Sequence, residues 1–224
     1  MSRAYDLLVF DWDGTLMDSE RHIVDCLRVA MLAIGEKDRV DDELRHVIGL
    51  GLPEAIAHLL PHRGDDVRRA AMQAFRNEFL SERPVPSQLF AGAEALLEEL
   101  SNAGYMLAVA TGKSRRGLDK VLRETGLNPL FAATRTADET FSKPHPAMLE
   151  EILVDLDTEP GRALMVGDTE FDLQMAANAR VPAVGVSYGV HPVERLAKQS
   201  PLAIFDQLPE LGAWLQSHPR PTEI

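Results

Sequence analysis

The chain has 224 residues, of which 45% are hydrophobic and 26% charged, a composition typical of a folded globular protein and not of a disordered one. This length accommodates one complete core with a second, smaller unit inserted into it. A formal net charge of -12 disfavours non-specific binding to nucleic acid, which depends on an excess of Lys and Arg. We therefore expect no nucleic-acid partner, and an anionic ligand would need a metal ion or a few basic residues close to it.

Cysteine content and hydropathy indicate the compartment. Cys26 is the only cysteine and falls among apolar residues at helical spacing, so we interpret it as a buried structural thiol in a reducing compartment. No run of 18 or more apolar residues occurs, and no apolar run follows a basic flank at the N-terminus. The sequence predicts a cytoplasmic protein with no membrane anchor.

The first 84 residues predict one strand followed only by helices. The apolar run from Leu7 to Phe10 indicates a buried strand, and apolar residues recur at helical spacing from Ser19 to Ile34. Further helices are expected at Asp41–Ile48, Pro53–Leu60 and Asp65–Glu82, before the breaker Pro84-Val85-Pro86. We predict that residues 19–84 form a small all-helical cap inserted after the first strand, and that residues 1–18 and 85–224 form the core.

From Leu89 onward, predicted helices and strands alternate. Strands are expected at Met106–Ala110, Ala132–Thr136, Ala163–Val166, Ala183–Val186 and Leu202–Phe205. The helices between them are expected at Ala91–Ala103, after Ser114, at Pro146–Leu153 and at Asp172–Ala179. Such alternation predicts an α/β fold, a doubly wound parallel sheet with a Rossmann-like core. Ligands of such sheets bind outside the carboxyl ends of the strands.

Two carboxylates follow the first predicted strand. Asp11 and Asp13 share a face if the strand stays regular, and Gly14 then allows the backbone to turn. Burying two like charges together costs free energy, which a divalent cation would largely remove. Taken alone, the segment is equally consistent with a strand that ends in an Asp-Gly turn.

Three later clusters also follow predicted strands or precede helices. Thr111 and Gly112 form an oxyanion receptor if hydroxyl, amide and helix dipole converge, although such a turn is more often simple helix capping. Lys143 lies between Ser142 and Pro144, and a lysine alone indicates little. Asp168 and Asp172 are four residues apart around a helix start. With Asp11 and Asp13 they would supply the oxygen ligands that Mg²⁺ prefers, although all four could also be caps and turns.

These clusters, in this order, resemble the haloacid dehalogenase-like hydrolase superfamily, in its phosphoglycolate phosphatase-like branch with a helical cap. The resemblance covers nearly the whole chain and is carried by Asp11-Trp12-Asp13-Gly14-Thr15, Thr111-Gly112, Lys143-Pro144 and Gly167-Asp168 through Asp172. It implies a Mg²⁺-dependent phosphatase that acts on a small-molecule phosphomonoester, such as phosphoglycolate, a sugar phosphate or a nucleotide. We expect a monomer or a homodimer.

The resemblance also implies roles for individual residues. Asp11 would be the nucleophile that forms an aspartyl-phosphate, and Asp13 the general acid and then base. Mg²⁺ would be held by Asp11, Asp168 and the backbone carbonyl of Asp13, with Asp172 as a further ligand. The groups that would stabilise the phosphoryl oxygens in the transition state are Thr111, the Gly112 amide and Lys143.

The residues that recognise the rest of the substrate are less evident. Thr15, Gly112, Arg45 and Gly51 are the candidate substrate contacts. The last two belong to the predicted cap, where the turn Gly49-Leu50-Gly51-Leu52 resembles the loop that relatives place over the substrate. Arg45 would then meet a carboxylate or a second anion, unless it is a solvated helix arginine.

Three other functions compete with hydrolysis of a phosphomonoester. A phosphomutase of the same superfamily uses the same four motifs, but Thr15 after Gly14 favours hydrolysis. A dehalogenase lacks the second acid that Asp13 supplies here. A non-catalytic binding protein on this fold would be expected to have lost Asp11, Asp13 or Lys143, and all three are present.

Overall fold

The centre of the computed structural model is a six-stranded sheet in which all neighbouring strands are parallel. The structure describes residues 4–81 and 88–217. Its strands are β1 (Leu7–Phe10), β2 (Met17–Asp18), β3 (Gln88–Leu89), β4 (Met106–Thr111), β5 (Ala133–Thr136), β6 (Ala163–Gly167), β7 (Ala183–Val186) and β8 (Ile204–Phe205). The large sheet has the order β5-β4-β1-β6-β7-β8, so β1 is a central strand between β4 and β6.

Helices cover both faces of this sheet. The α-helices are α1 (Glu20–Ala33), α2 (Asp41–Arg45), α3 (Leu52–Leu59), α4 (Asp65–Phe79), α5 (Ala93–Asn102), α6 (Arg115–Thr125), α7 (Ala147–Asp155), α8 (Glu170–Asn178), α9 (Val193–Ala197) and α10 (Pro209–Ser217). Because strand side chains alternate, Leu8 and Phe10 pack against α5, α6 and α10, whereas Leu7 and Val9 pack against α7 and α8. The predicted α/β fold with a doubly wound parallel sheet is confirmed.

Helices α1 to α4 lie between β2 and β3 in the chain and share an apolar cluster of their own, which also includes Val190 of the core. Strands β2 and β3 pair antiparallel where the chain enters and leaves this helical block. The division into a cap and a core stays a prediction, and its predicted boundary after residue 84 lies outside the described residues. Among the described helices, none is both long and apolar enough to cross a bilayer.

The predicted elements agree with the structure except at their ends and in the shortest segments. The helix predicted to continue to Ile48 ends at Arg45, and a turn leads into Gly49. The helix predicted from Asp172 begins at Glu170 because Thr169 caps it, its hydroxyl accepting from the Asp172 amide. The sequence analysis missed β2, β3 and α9, which have two, two and five residues, and segments this short carry little periodic signal. It also missed α10, although this helix has nine residues, as many as α7 and α8.

Trp12 and Cys26, of which the sequence analysis interpreted Cys26 as a structural thiol, are both buried. Trp12 is fully buried, makes an edge contact with Phe131 and directs its indole N–H at the Met17 sulfur, 3.4 Å away. Cys26 is also buried, and burial raises the pKa of its thiol to about 12. The thiol is therefore protonated at neutral pH, as a structural cysteine requires.

The loop before α3 contacts the core directly. The Gly51 amide donates to Ser142 Oγ at 2.7 Å. A side chain at Gly112 would place its Cβ 2.7 Å from the Gly49 carbonyl oxygen and 2.6 Å from that of Leu50. Only a glycine at position 112 therefore allows this loop to lie against the turn that follows β4.

Candidate active site

The polar residues singled out in the sequence meet at the carboxyl ends of the three central strands. Asp11 follows β1, Thr111 ends β4 and Asp168 follows β6. All three are buried, with at most 1% of their surface exposed. Because these strands are neighbours in a parallel sheet, their last residues lie side by side.

Three carboxylates form the centre of this site. One oxygen each of Asp11, Asp168 and Asp172 lies within 4.8 Å of the other two. The Thr15 hydroxyl donates to Asp168 Oδ1 and the Val190 amide to Asp168 Oδ2, both at 2.8 Å. These donors fix the Asp168 carboxylate in place.

Gly14 and Thr169 complete the support of these carboxylates. Gly14 adopts φ +81°, and a Cβ there would lie 2.1 Å from Asp168 Oδ2, so its turn and its lack of a side chain are both needed. The Thr169 amide donates to Asp172 Oδ2 at 3.0 Å as part of the capping box of α8. The helix start therefore holds Asp172 facing the strand ends.

Lys143 is the cation that contacts this group. Its ammonium lies 2.7 Å from Asp11 Oδ1 and 2.6 Å from Asp172 Oδ1, and its side chain is fully buried. Although burial opposes the charged form, the carboxylates of Asp11 and Asp172 raise the pKa of Lys143 above its usual value. The lysine is thus a fixed positive charge.

One lysine does not neutralise three buried carboxylates. Burial raises the pKa of Asp11 to about 7, despite Lys143, and the charges of Asp172 and Asp13 add to the effect. Burial also raises the pKa of Asp168 well above its usual value, and the charges of Asp11 and Asp172 raise it further. Asp11 Oδ2 is buried and has no hydrogen-bond partner among the described residues. These carboxylate oxygens fit a divalent cation with a preference for oxygen ligands, such as Mg²⁺.

The Asp13 carboxylate has partners of its own. Its Oδ1 accepts from Ser19 Oγ at 2.5 Å and lies 2.8 Å from Lys113 Nζ. The Phe79 ring of α4 covers this ammonium, with its centroid 4.8 Å from Nζ. The ligand predicted from residue 13 is its backbone carbonyl, which leaves the side chain free for proton transfer.

The sequence analysis did not assign a role to Lys113 or Ser19. Lys113 is buried and directly follows Gly112 in the turn after β4. Its place next to Gly112 was the only feature of the sequence that could have indicated a role in the site. Lysines usually point to solvent, so the pattern alone does not reveal an ion pair with Asp13. Ser19 occupies the N-cap position of α1, but its hydroxyl makes no cap hydrogen bond and serves Asp13 instead.

A cavity of about 370 Å³ opens above Asp11 and Asp13, between the strand ends and helices α1, α3 and α4. Thr111, Gly112 and Lys113 also line it. The Thr111 hydroxyl accepts from the Lys113 amide at 3.2 Å. The predicted oxyanion receptor therefore lies on the same cavity as the predicted nucleophile.

The other candidate substrate contacts lie elsewhere. The Thr15 hydroxyl is fully buried and donates to Asp168, and a contact between Thr15 and the substrate stays a prediction. Arg45 pairs with Glu20 at 2.5 Å and Asp42 at 3.0 Å. Neither Thr15 nor Arg45 is among the described residues that line the cavity. Gly51 adjoins the lining loop, where its amide binds Ser142.

Replacing Lys143 with Met tests the charge balance of the site. In metal-free buffer at pH 8, we expect Lys143→Met to lower the free energy of unfolding by about 3–5 kcal/mol, because the carboxylates lose their buried cation. The pKa of Asp11 is raised in the folded state, so the folded protein takes up protons below pH 7 that the unfolded chain does not. At pH 5.5 Asp11 is therefore protonated in the folded protein and no longer needs a buried cation. The decrease in the free energy of unfolding caused by Lys143→Met should be smaller at that pH.

Denaturant unfolding at both pH values measures these losses. Lys120→Met is the matched control, because Lys120 is 41% exposed and lies 3.9 Å from Glu124, a pair expected to contribute at most about 1 kcal/mol. A loss for Lys143→Met that equals the control, or that is the same at both pH values, contradicts the assigned charge balance.

Comparisons with known proteins give the same family as the motifs. The family described as haloacid dehalogenase-like hydrolase matches residues 8–186. "Probable phosphatase IndB" of Dickeya dadantii is 34% identical, over 92% of this chain and 91% of the relative. A phosphoglycolate phosphatase of Rhodospirillum rubrum is 34% identical, over 93% of this chain and 90% of the relative.

A solved structure supports the fold as well. A crystal structure from Bacteroides fragilis, described as a haloacid dehalogenase-like hydrolase, superposes with a TM-score of 0.86 at 26% identity, covering 92% of this chain and 99% of that one. The family match spans most of the chain, and the strand-end carboxylates and lysine occupy one site. The chain therefore belongs to the haloacid dehalogenase-like hydrolase family and is similar to the phosphatases within it.

Proposed function

We propose that this protein is a Mg²⁺-dependent phosphatase that hydrolyses a small-molecule phosphomonoester through an aspartyl-phosphate on Asp11. The observation that carries the proposal is that one cavity is lined by two carboxylates whose surroundings differ. Asp11 Oδ1 contacts Lys143, and its Oδ2 has no hydrogen-bond partner among the described residues. Asp13 has its own partners, Ser19 and Lys113, and lines the same cavity.

The first step transfers the phosphoryl group to Asp11. An oxygen of the Asp11 carboxylate attacks phosphorus, the bond from phosphorus to the ester oxygen breaks, and Asp13 in its protonated form gives its proton to that oxygen. Thr111, the Gly112 amide and Lys143 support the phosphoryl oxygens while charge shifts between them. The leaving alcohol then departs as a neutral molecule.

The second step returns the enzyme to its starting state. Asp13, now ionised, takes a proton from a water molecule that attacks phosphorus, and the bond between phosphorus and Asp11 breaks. Phosphate leaves, Asp11 is again a carboxylate and Asp13 is again protonated. Splitting the hydrolysis in this way replaces one difficult displacement with two easier ones.

The metal would be held by three carboxylates and one backbone carbonyl. Asp11, Asp168 and the Asp13 backbone carbonyl would bind Mg²⁺, with Asp172 as a further ligand. When bound, Mg²⁺ lowers the repulsion between the anionic carboxylate and the anionic phosphate ester. The relatives named phosphoglycolate phosphatases make phosphoglycolate the first natural substrate to test. We further propose that the protein acts in the cytoplasm, as a monomer or a homodimer.

Metal removal is the first test. We expect hydrolysis of p-nitrophenyl phosphate to cease in chelator and to return with Mg²⁺, whereas Ca²⁺ restores it poorly because its coordination is larger and looser. Independently of activity, Mg²⁺ should raise the Tm of the wild type and not that of Asp168→Asn. Asp66→Asn, on a side chain that is 93% exposed, is the control and should respond like the wild type. Full activity in chelator contradicts the metal assignment.

A second test separates the two acids. Asp11→Asn should abolish release of alcohol from both p-nitrophenyl phosphate and butyl phosphate, a loss of at least about 10²-fold. In a single turnover, Asp13→Asn should slow release of butanol far more than release of p-nitrophenolate, because the second leaving group needs no proton. A Tm in Mg²⁺ equal to that of the wild type shows that each variant is folded. Wild-type turnover by Asp11→Asn would favour direct attack by water.

A further inference from the structure

The walls of the cavity differ from its floor. The floor carries Asp11, Asp13 and Thr111, whereas the side that faces α1, α3 and α4 is lined by apolar side chains. Leu52 of α3, Phe75 and Phe79 of α4, and Leu80 directly after α4 belong to this apolar lining. A leaving group bound between Asp13 and the cap helices therefore meets mostly hydrocarbon and aromatic surface.

Charged groups are few on these walls. Of the described residues that line the cavity, Lys113 is the buried cation, and it already pairs with Asp13 at 2.8 Å. Arg76, Arg116 and Asp138 also line the cavity, but they are exposed and so lie where it meets solvent. Among the described lining residues there is no unpaired buried cation, so a carboxylate bound deep in the cavity would lose hydration without gaining an ion pair, which costs free energy. Sugar hydroxyls bound there would likewise find few partners among these residues, since Ser114 and Asp138 are exposed.

The aromatic part of the wall lies next to the proton donor. The Phe75 and Phe79 rings stack with centroids 5.6 Å apart, and the Phe79 ring lies 4.8 Å from Lys113 Nζ. Lys113 in turn contacts Asp13. An apolar body that packs on Phe79 would therefore hold its ester oxygen near the carboxyl group that protonates it.

The volume also exceeds what a very small ester requires. At about 370 Å³, the cavity falls within the range of roughly 300–1,000 Å³ in which pockets bury most of a drug-sized ligand. Water molecules next to apolar walls make few hydrogen bonds there, so displacing them with an apolar ligand makes the free energy of binding more favourable. Both size and lining favour a leaving group with several carbon atoms.

We propose that the preferred substrates are phosphomonoesters whose leaving alcohol has an apolar body of butyl to benzyl size, and not small hydroxy-acid or sugar phosphates. This inference rests on the proposed phosphatase function. Under this proposal, contact of the leaving group with Leu52, Phe75 and Phe79 determines specificity. The strand-end residues bind only the phosphoryl group. Binding energy from the apolar body then supports the chemical step.

A series of alkyl phosphates isolates this effect, because their leaving alcohols have similar acidity. We expect kcat/KM with Mg²⁺ to rise about fourfold for each methylene from methyl to hexyl phosphate until the cavity is full. Benzyl phosphate should be a good substrate, and phosphoglycolate should fall below ethyl phosphate. A flat series, or phosphoglycolate as the best substrate, overturns the inference but leaves the phosphatase function standing. No Mg²⁺-dependent hydrolysis of any ester overturns both.

Variants of the apolar wall give a second, independent result. The ratio of kcat/KM for hexyl phosphate to that for methyl phosphate should fall about tenfold in Leu52→Asn. Leu80→Asn changes another half-buried residue of the lining and should lower the same ratio, which covers the case in which Leu52→Asn does not fold. The control is Leu32→Asn on α1, where the side chain is 52% exposed and the ratio should stay at the wild-type value. An unchanged ratio in a folded lining variant overturns the inference.

Discussion

Repulsion among three carboxylates, buried at the ends of two central strands, is the constraint on which the rest of the site depends. Asp11, Asp168 and Asp172 converge, Lys143 contacts only Asp11 and Asp172 among them, and burial shifts the pKa values of Asp11 and Asp168 upward. If all three were ionised, a single ammonium would leave an excess of negative charge. Such a cluster is unfavourable without a further cation, and for that reason its occurrence indicates function and not packing.

Much of the local structure serves to hold this cluster in place. A glycine with positive φ makes room for Asp168, a hydroxyl and an amide bind its two oxygens, and a helix cap directs Asp172. The sheet supplies the rest, because adjacent parallel strands bring their carboxyl ends together. The result is an anionic centre whose carboxylates are held in place, as the proposed binding of a metal and a phosphoryl group requires.

The second acid connects this centre to the helical block. Asp13 is held by Ser19, at the start of α1, and by Lys113, which lies under Phe79 of α4. The loop at Gly49–Gly51 meanwhile lies against Gly112 and Ser142. The position of the proposed proton donor and the wall of the cavity thus both depend on the helical block between β2 and β3. In the proposed mechanism, the core performs the chemistry and the cap selects the leaving group.

The sequence was most informative where short-range rules apply. The apolar run from Leu7 to Phe10 placed Asp11 at a strand end, and the order of the four motifs identified the family, which the comparisons confirm. The partners of Lys113 and Arg45 could not be predicted from the sequence, because long charged side chains pair with residues that lie far away in the chain. Asp13 lies 100 positions before Lys113, and Glu20 lies 25 positions before Arg45. The apolar cavity was not foreseen either, since it exists only between elements that tertiary packing brings together.

Chemical trapping at residue 11 tests the central claim, that Asp11 itself accepts the phosphoryl group. Asp13→Asn enzyme is mixed with Mg²⁺ and p-nitrophenyl phosphate, quenched and treated with borohydride, which reduces an acyl phosphate to an alcohol. This variant releases p-nitrophenolate without a general acid but lacks the base for the second step, so the intermediate should accumulate. We predict homoserine at position 11 by peptide mass spectrometry. An unreduced Asp11, or reduction at another carboxylate, would contradict the proposed mechanism.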